Sequence, residues 1–202
     1  MSATRTRLPA AERREQLIEV VRTLVADKGF HAVSIDAVAR RAGVSRPIVY
    51  GHFTDLPGLL AALVEREEGR ALEQLASFLP DARSSRDRKT ALLGAIRGYL
   101  EAVRADPVTW RLVLMPPEGA PAGLRERIAE GRAAVVGRLA EIVEPGLTAG
   151  GGSPDPELTA WTLSVLSDEA ARLVLTGDEH FGVDRILAHS AWLLDRLLGP
   201  DS

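Results

Sequence analysis

The stretch Ser34–Leu60, SIDAVARRAGVSRPIVYGHFTDLPGLL, constrains this chain more than any other, because it asks for two short helices joined by a tight turn. Ile35, Val38, Ala39 and Ala42 recur at helical spacing and make one buried face, and the Ser34 hydroxyl is placed to cap the helix that carries them. Gly43 ends that helix, since glycine accepts the left-handed conformation of a tight helix exit without a Cβ clash. Ser45 restarts the chain as an N-cap, and Pro47 falls in the first turn, where a missing N–H breaks no intrahelical bond. The second helix buries Val49 and Phe53 and leaves Arg46, Ile48 and Tyr50 outward or near its start. The pattern is that of a helix-turn-helix.

The ordered set Ile35, Val38, Ala39, Ala42, Gly43, Val44, Ser45, Val49, Tyr50, His52, Phe53, Leu59 and Leu60 resembles the DNA-binding signature of the TetR family of one-component transcriptional regulators. The Tyr-x-His-Phe run is its most diagnostic part. The resemblance extends to the preceding helix and, by length and helix count only, to the rest of the chain. It implies an all-α fold, with an N-terminal three-helix helix-turn-helix domain followed by a larger helical ligand-binding and dimerisation domain. The expected division is a basic flexible arm over 1–9, the DNA-binding domain over 10–70 with its motif at about 34–53, and the effector and dimerisation domain over 71–202.

Recognition of a duplex needs donors to phosphate for positioning and side chains that reach base edges for reading. The resemblance assigns phosphate contacts to Ser34 and to Tyr50 and His52. Arg46, on the first turn of the second helix, is placed to fork onto a guanine, and Ile48 to touch a thymine methyl. Ser45 serves as cap and contact together, and Arg41 adds phosphate attraction. Two departures from the family pattern stand out: Leu56 occupies a position where a phosphate-gripping lysine is common, and Gly51 one where a larger side chain often reads a base. Both predict fewer specific contacts, with more of the reading left to Arg46.

Charge follows the same division. Residues 1–64 carry nine basic and six acidic side chains, a balance of +3 in a chain whose net charge is −3, which leaves −6 for the remainder. A basic reader joined to an acidic body fits that asymmetry. The chain has no cysteine, so a disulfide framework and a thiolate metal site are excluded. Its four histidines, His31, His52, His180 and His189, lack metal-ligand spacing, so no metal or cofactor is expected. With 46% apolar residues and no apolar run of ~20, the expectation is a cytoplasmic protein with a real core and no membrane partner.

Period-two alternation is nearly absent beyond the motif, and helical spacing predicts a first helix from Ala10 to Lys28 stopped by Gly29. A connecting helix should run from Leu59 towards Phe78, followed by helices over Thr90 to Ala105, Val108 to Met115, about Ala122 to Val143, Glu157 to Leu175 and Val183 to Leu198. Breaks are expected over Pro80 to Arg88, over the Pro-Pro-Glu-Gly-Ala-Pro run, and over the glycine-rich Gly146 to Pro156. Phe78, Tyr99, Trp110, Met115, Trp161 and Asp168 are candidates for an effector pocket, although aromatic and Met residues at helical spacing are more often plain core. Asp168 either anchors a cationic or hydrogen-bond-donating ligand or pairs with Arg172 one turn on. The final helix carries an apolar stripe too wide for one neighbour and the preceding helix offers a second, which predicts a four-helix dimer interface with Trp161, Val165, Ile186, Leu187, Leu194 and Leu197, the alternative being a final helix packed only inside its own monomer.

The resulting expectation is a homodimeric regulator that binds double-stranded DNA at a palindromic operator and is released by a small-molecule effector, repression being favoured over activation. Two other classes stay open. One is a helical protein-interaction module whose motif no longer binds DNA; the other, an enzyme, finds no HExxH, Walker or nucleophile-elbow motif in its support.

Overall fold

The structure, a computed structural model, describes residues 8–79, 87–115, 124–149 and 155–198. Among them the chain is all-helical, in the order α1 (Ala10–Lys28), α2 (Ile35–Ala42), α3 (Arg46–Tyr50), α4 (Leu56–Phe78), α5 (Arg88–Ala105), α6 (Pro107–Leu114), α7 (Leu124–Ala149), α8 (Pro156–Thr176) and α9 (Val183–Leu198). Short 3-10 turns lie at Phe30–Ala32 and Glu179–Phe181. The expected arm over 1–9 falls almost wholly outside the described residues, as do the Pro-Pro-Glu-Gly-Ala-Pro run and most of the break expected over Pro80 to Arg88.

The chain divides into two compact units at Glu67 and Glu68, within α4. In the first, α1 packs on α2 and α2 on α3 around Leu17, Ile18, Val21, Val38, Val49, Phe53, Leu59 and Leu63, all buried. The motif forms as its caps dictate: the Ala37 N–H donates to Ser34 Oγ at 3.1 Å, and Gly43 exits α2 at φ 66° and ψ 36°, the left-handed region. The cap expected of Ser45 is corrected: it occupies the N-cap position of α3 but makes no side-chain capping bond, leaving its hydroxyl uncommitted to the helix end.

The second unit has two apolar clusters. One gathers Tyr99, Leu100, Val103, Trp110, Leu114, Ala171 and Leu175; the other gathers Leu92, Ile142, Val143, Leu147, Leu194 and Leu198. Helices α8 and α9 both pack on α5. Gly98 of α5 faces the Phe78 ring so closely that a Cβ there would stand 2.7 Å from it. The expected break at Gly146 is corrected by the structure, since α7 continues through Pro145 to Ala149. Leu147 is buried in the second cluster and Leu198 packs at Gly146, so tertiary contact outweighs the local cost of proline and glycine in a helix.

Candidate nucleic-acid interface and ligand cavity

In the motif, burial separates the residues into two sets. Val49 is wholly buried and Phe53 nearly so, whereas Ser34, Arg41, Ser45, Arg46, Ile48 and Tyr50 are exposed. Ile48 and Tyr50 are 41% and 54% exposed, which leaves both side chains available to a partner. His52 is half-buried at the end of the motif. Arg46 and Arg41 both hold carboxylates: Arg46 forks onto Asp36 through Nε and a terminal nitrogen, and Arg41 reaches Asp27 at 3.1 Å. In sequence Asp36, in the first turn of α2, reads as an ordinary solvated residue near a helix N-terminus, with nothing to mark it as the partner of Arg46.

Behind this face, α1 and α4 are tied by ion pairs. Glu67 is buried and accepts from Arg22 at 3.3 Å and from Arg66 at 2.9 Å; Arg66 also reaches Glu19 at 2.9 Å and Glu15 at 3.5 Å. Burial alone would lower the Arg66 pKa, but its bond to and the charge of Glu67, with Glu19, raise it overall. The next residue, Glu68, is also buried and accepts from Arg127 of α7 at 2.8 Å in the second unit. The run Glu65–Arg70 resembles a solvated charged face in sequence, so nothing there marked Glu67 and Glu68 as interior.

The second unit contains a mainly apolar cavity walled by α4 to α9, within which the centre of a water-sized sphere can roam about 120 Å³, some ten times the ~10–15 Å³ that one water needs. Phe78, Tyr99, Trp110 and Asp168 of the expected pocket line it. Met115 and Trp161 do not: they are 48% and 50% exposed, on outward faces of the unit. Trp110 is fully buried, donates to Gln74 Oε1 at 3.2 Å and meets Tyr99 edge to face at 4.9 Å. Asp168 pairs with Arg132 of α7 and accepts from the Tyr99 hydroxyl at 3.0 Å, while Arg172 turns instead to Glu169 and the Leu114 carbonyl. Burial, then the charge and bond of Asp168, push the Tyr99 hydroxyl far above the ordinary phenol range. Arg132 carried no sequence signal, because one arginine on a charged amphipathic helix looks like any other.

Of the expected interface residues, Leu187 and Leu194 are buried within the protomer, Leu194 in the cavity wall, and so are unavailable to a partner. Ile186 packs against the first apolar cluster and Val165 is half-buried. Trp161 and Leu197 are exposed, joined by Leu158 and Leu166 on α8 and Trp192 on α9.

Residues 17–63 match the model for the bacterial regulatory proteins of the tetR family. The chain is 33% identical over 108 residues to the HTH-type transcriptional activator FasR of Mycolicibacterium smegmatis, a match covering 53% of this chain and 48% of that protein. It is 43% identical over 65 residues to the HTH-type transcriptional regulator BetI of Yersinia pestis, 31% of this chain and 33% of that one. It thus spans about half the length of the first relative and a third of the second. Over nearly its full length it resembles a TetR-like transcriptional regulator from Rhodococcus sp. RHA1, with TM-score 0.72, 25% identity and coverage of 96% and 100%. It shares the fold of FadR from Bacillus subtilis, solved in complex with stearoyl-CoA, at TM-score 0.65, 20% identity and coverage of 92% and 97%.

Proposed function

The chain belongs to the tetR family of bacterial regulatory proteins, and from that premise we propose that it is a DNA-binding transcriptional regulator whose affinity for its operator responds to a small molecule held in the cavity of the second unit. The observation that carries this reading is the exposure of Ser34, Arg41, Ser45, Arg46, Ile48 and Tyr50 on one short motif whose inward residues are buried. Arg46 and Ile48 read bases; Ser34, Arg41, Ser45, Tyr50 and His52 position the backbone. We keep the division into a DNA-binding domain over 10–70 and an effector and dimerisation domain over 71–202.

A palindromic operator requires two readers about one DNA turn, ~34 Å, apart, hence a homodimer. The exposed apolar residues Leu158, Trp161, Leu166, Trp192 and Leu197 support an interface built from α8 and α9. Transmission follows from α4, a single helix that gives Glu67 to the ion pairs with α1 and Glu68 to the cavity wall. A ligand that favours one position of α4 shifts the readers only by its differential affinity for the two states. Repression relieved by the ligand is the proposed sign; the name of the FasR relative supports activation as the second reading.

Selection of duplexes from a random pool by the purified protein tests the proposal. A palindrome bound with steep salt dependence is expected. No preference for any duplex at low ionic strength overturns it and leaves the protein-interaction module.

A further inference from the structure

The geometry points to an uncharged amphiphile as the occupant of the cavity, an apolar molecule with one hydroxyl or carbonyl group, selected because the cavity's charges are already neutralised pair by pair. The inference rests on the reading of this cavity as the effector site and adds the chemical class of the effector. Three formally charged side chains line the cavity: Glu68, Arg132 and Asp168. Asp168 is matched by Arg132 and by the Tyr99 hydroxyl, and Glu68 by Arg127. A charged ligand entering this apolar space finds no countercharge without breaking a pair, which leaves one ion uncompensated at low dielectric.

What the cavity does offer is neutral. Ser164 and Ser167 line it on the same face of α8 as Asp168, one turn apart, and among the described residues neither hydroxyl has a hydrogen-bond partner. A hydroxyl or carbonyl satisfies such groups at no electrostatic cost, while Phe78, Leu75 and Val135 line the wall along which an alkyl or ring body lies. The Asp168–Arg132 pair is therefore the charge selector of the site. Each member rejects the ions its partner would attract.

The test measures binding of 1-decanol, decanoate and decylamine to the full chain by calorimetry, with Asp168→Asn and Arg132→Gln as variants and circular dichroism to confirm that each remains folded. Decanol is expected to bind the wild type roughly tenfold or more tightly than either ion, since one desolvated, unmatched charge is at stake. Asp168→Asn frees the guanidinium and should move the preference to decanoate; Arg132→Gln frees the carboxylate and should move it to decylamine. A wild type that prefers either ion, or variants that both keep the wild-type order, overturns the charge selector. Should no probe bind the wild type while duplex binding persists, the cavity itself is not a site for this class and the inference falls with it, leaving the DNA-binding reading intact. A variant that does not fold is replaced by Ser164→Ala with Ser167→Ala, which must weaken decanol and leave the order of the ions unchanged; unchanged decanol affinity then counts against the proposal.

Discussion

Removing the Glu67 carboxylate puts a number on the tie between α1 and α4. In Glu67→Ala, the guanidinium groups of Arg22 and Arg66 lose a buried acceptor now standing 3.3 and 2.9 Å from their nitrogens. Truncating one partner of a fully buried pair costs about 3–5 kcal/mol, because a charge is left without its match in a poorly polarisable interior. Here both arginines keep some access to solvent, Arg66 retains Glu15 and Glu19, and Arg22 retains Glu19, so screening and the surviving partners bring the loss down to roughly 2–3 kcal/mol. For a chain of this length a loss of that size lowers the melting temperature by roughly 4–12 °C. Thermal unfolding followed by far-UV circular dichroism reads it directly, with Glu67→Gln, which keeps the shape and an acceptor oxygen, falling between the two. A midpoint within about 1 °C of the wild type would refute the argument that this carboxylate is desolvated and matched.

Ser34→Ala should destabilise the protein by about 1 kcal/mol, through loss of the acceptor for the Ala37 N–H, and Ser34→Gly by only a few tenths; equal losses in urea unfolding would rule out the cap. Trp110→Ala removes a fully buried ring and its bond to Gln74, for an expected cost of ~3–5 kcal/mol, and a loss below about 1 kcal/mol would show that the cavity wall collapses to fill the space. Tyr99 titrates above its ordinary 10.0 in the folded chain, so its contribution to stability is complete below pH 10.0 and declines as pH rises beyond it, when only the unfolded chain ionises. Tyr99→Phe should lack that alkaline decline, and identical alkaline slopes of unfolding free energy for the two proteins would contradict the assignment. Arg46→Ala should cost ~1–3 kcal/mol of discrimination at one base pair of the selected operator, measured by competition between matched and mismatched duplexes.

Local grammar made much of the fold readable. Ser34, Gly43 and Gly29 mark helix ends through their own backbone and capping chemistry, and α1 begins and ends at Ala10 and Lys28 as its periodicity requires. Where the decisive force is a distant neighbour, the sequence is silent. Pro145 and Gly146 signal a break, yet burial of Leu147 and contact with Leu198 keep α7 helical. Arg172 is one turn from Asp168, but Arg132, 36 positions away, takes the carboxylate. Met115 and Trp161 show a related limit: residue type reports how much apolar area there is to cover, not whether a cavity or an outer face uses it. The wide stripe on α9 likewise needed a neighbour, and for Leu187 and Leu194 that neighbour lies in the same protomer.

The closeness of Gly98 to the Phe78 ring carries a consequence for how such a chamber is resized over evolution. Helix propensity by itself favours alanine at that position by about 1 kcal/mol. An added methyl would have to push an aromatic wall aside, so a change that suits α5 alters the dimensions of the space beside it. Breadth of occupant is then governed by an atom the protein omits, while choice of ionic character belongs to Asp168 and Arg132. Two selectivities held by different residues can drift separately, letting one scaffold admit new occupants by single steps.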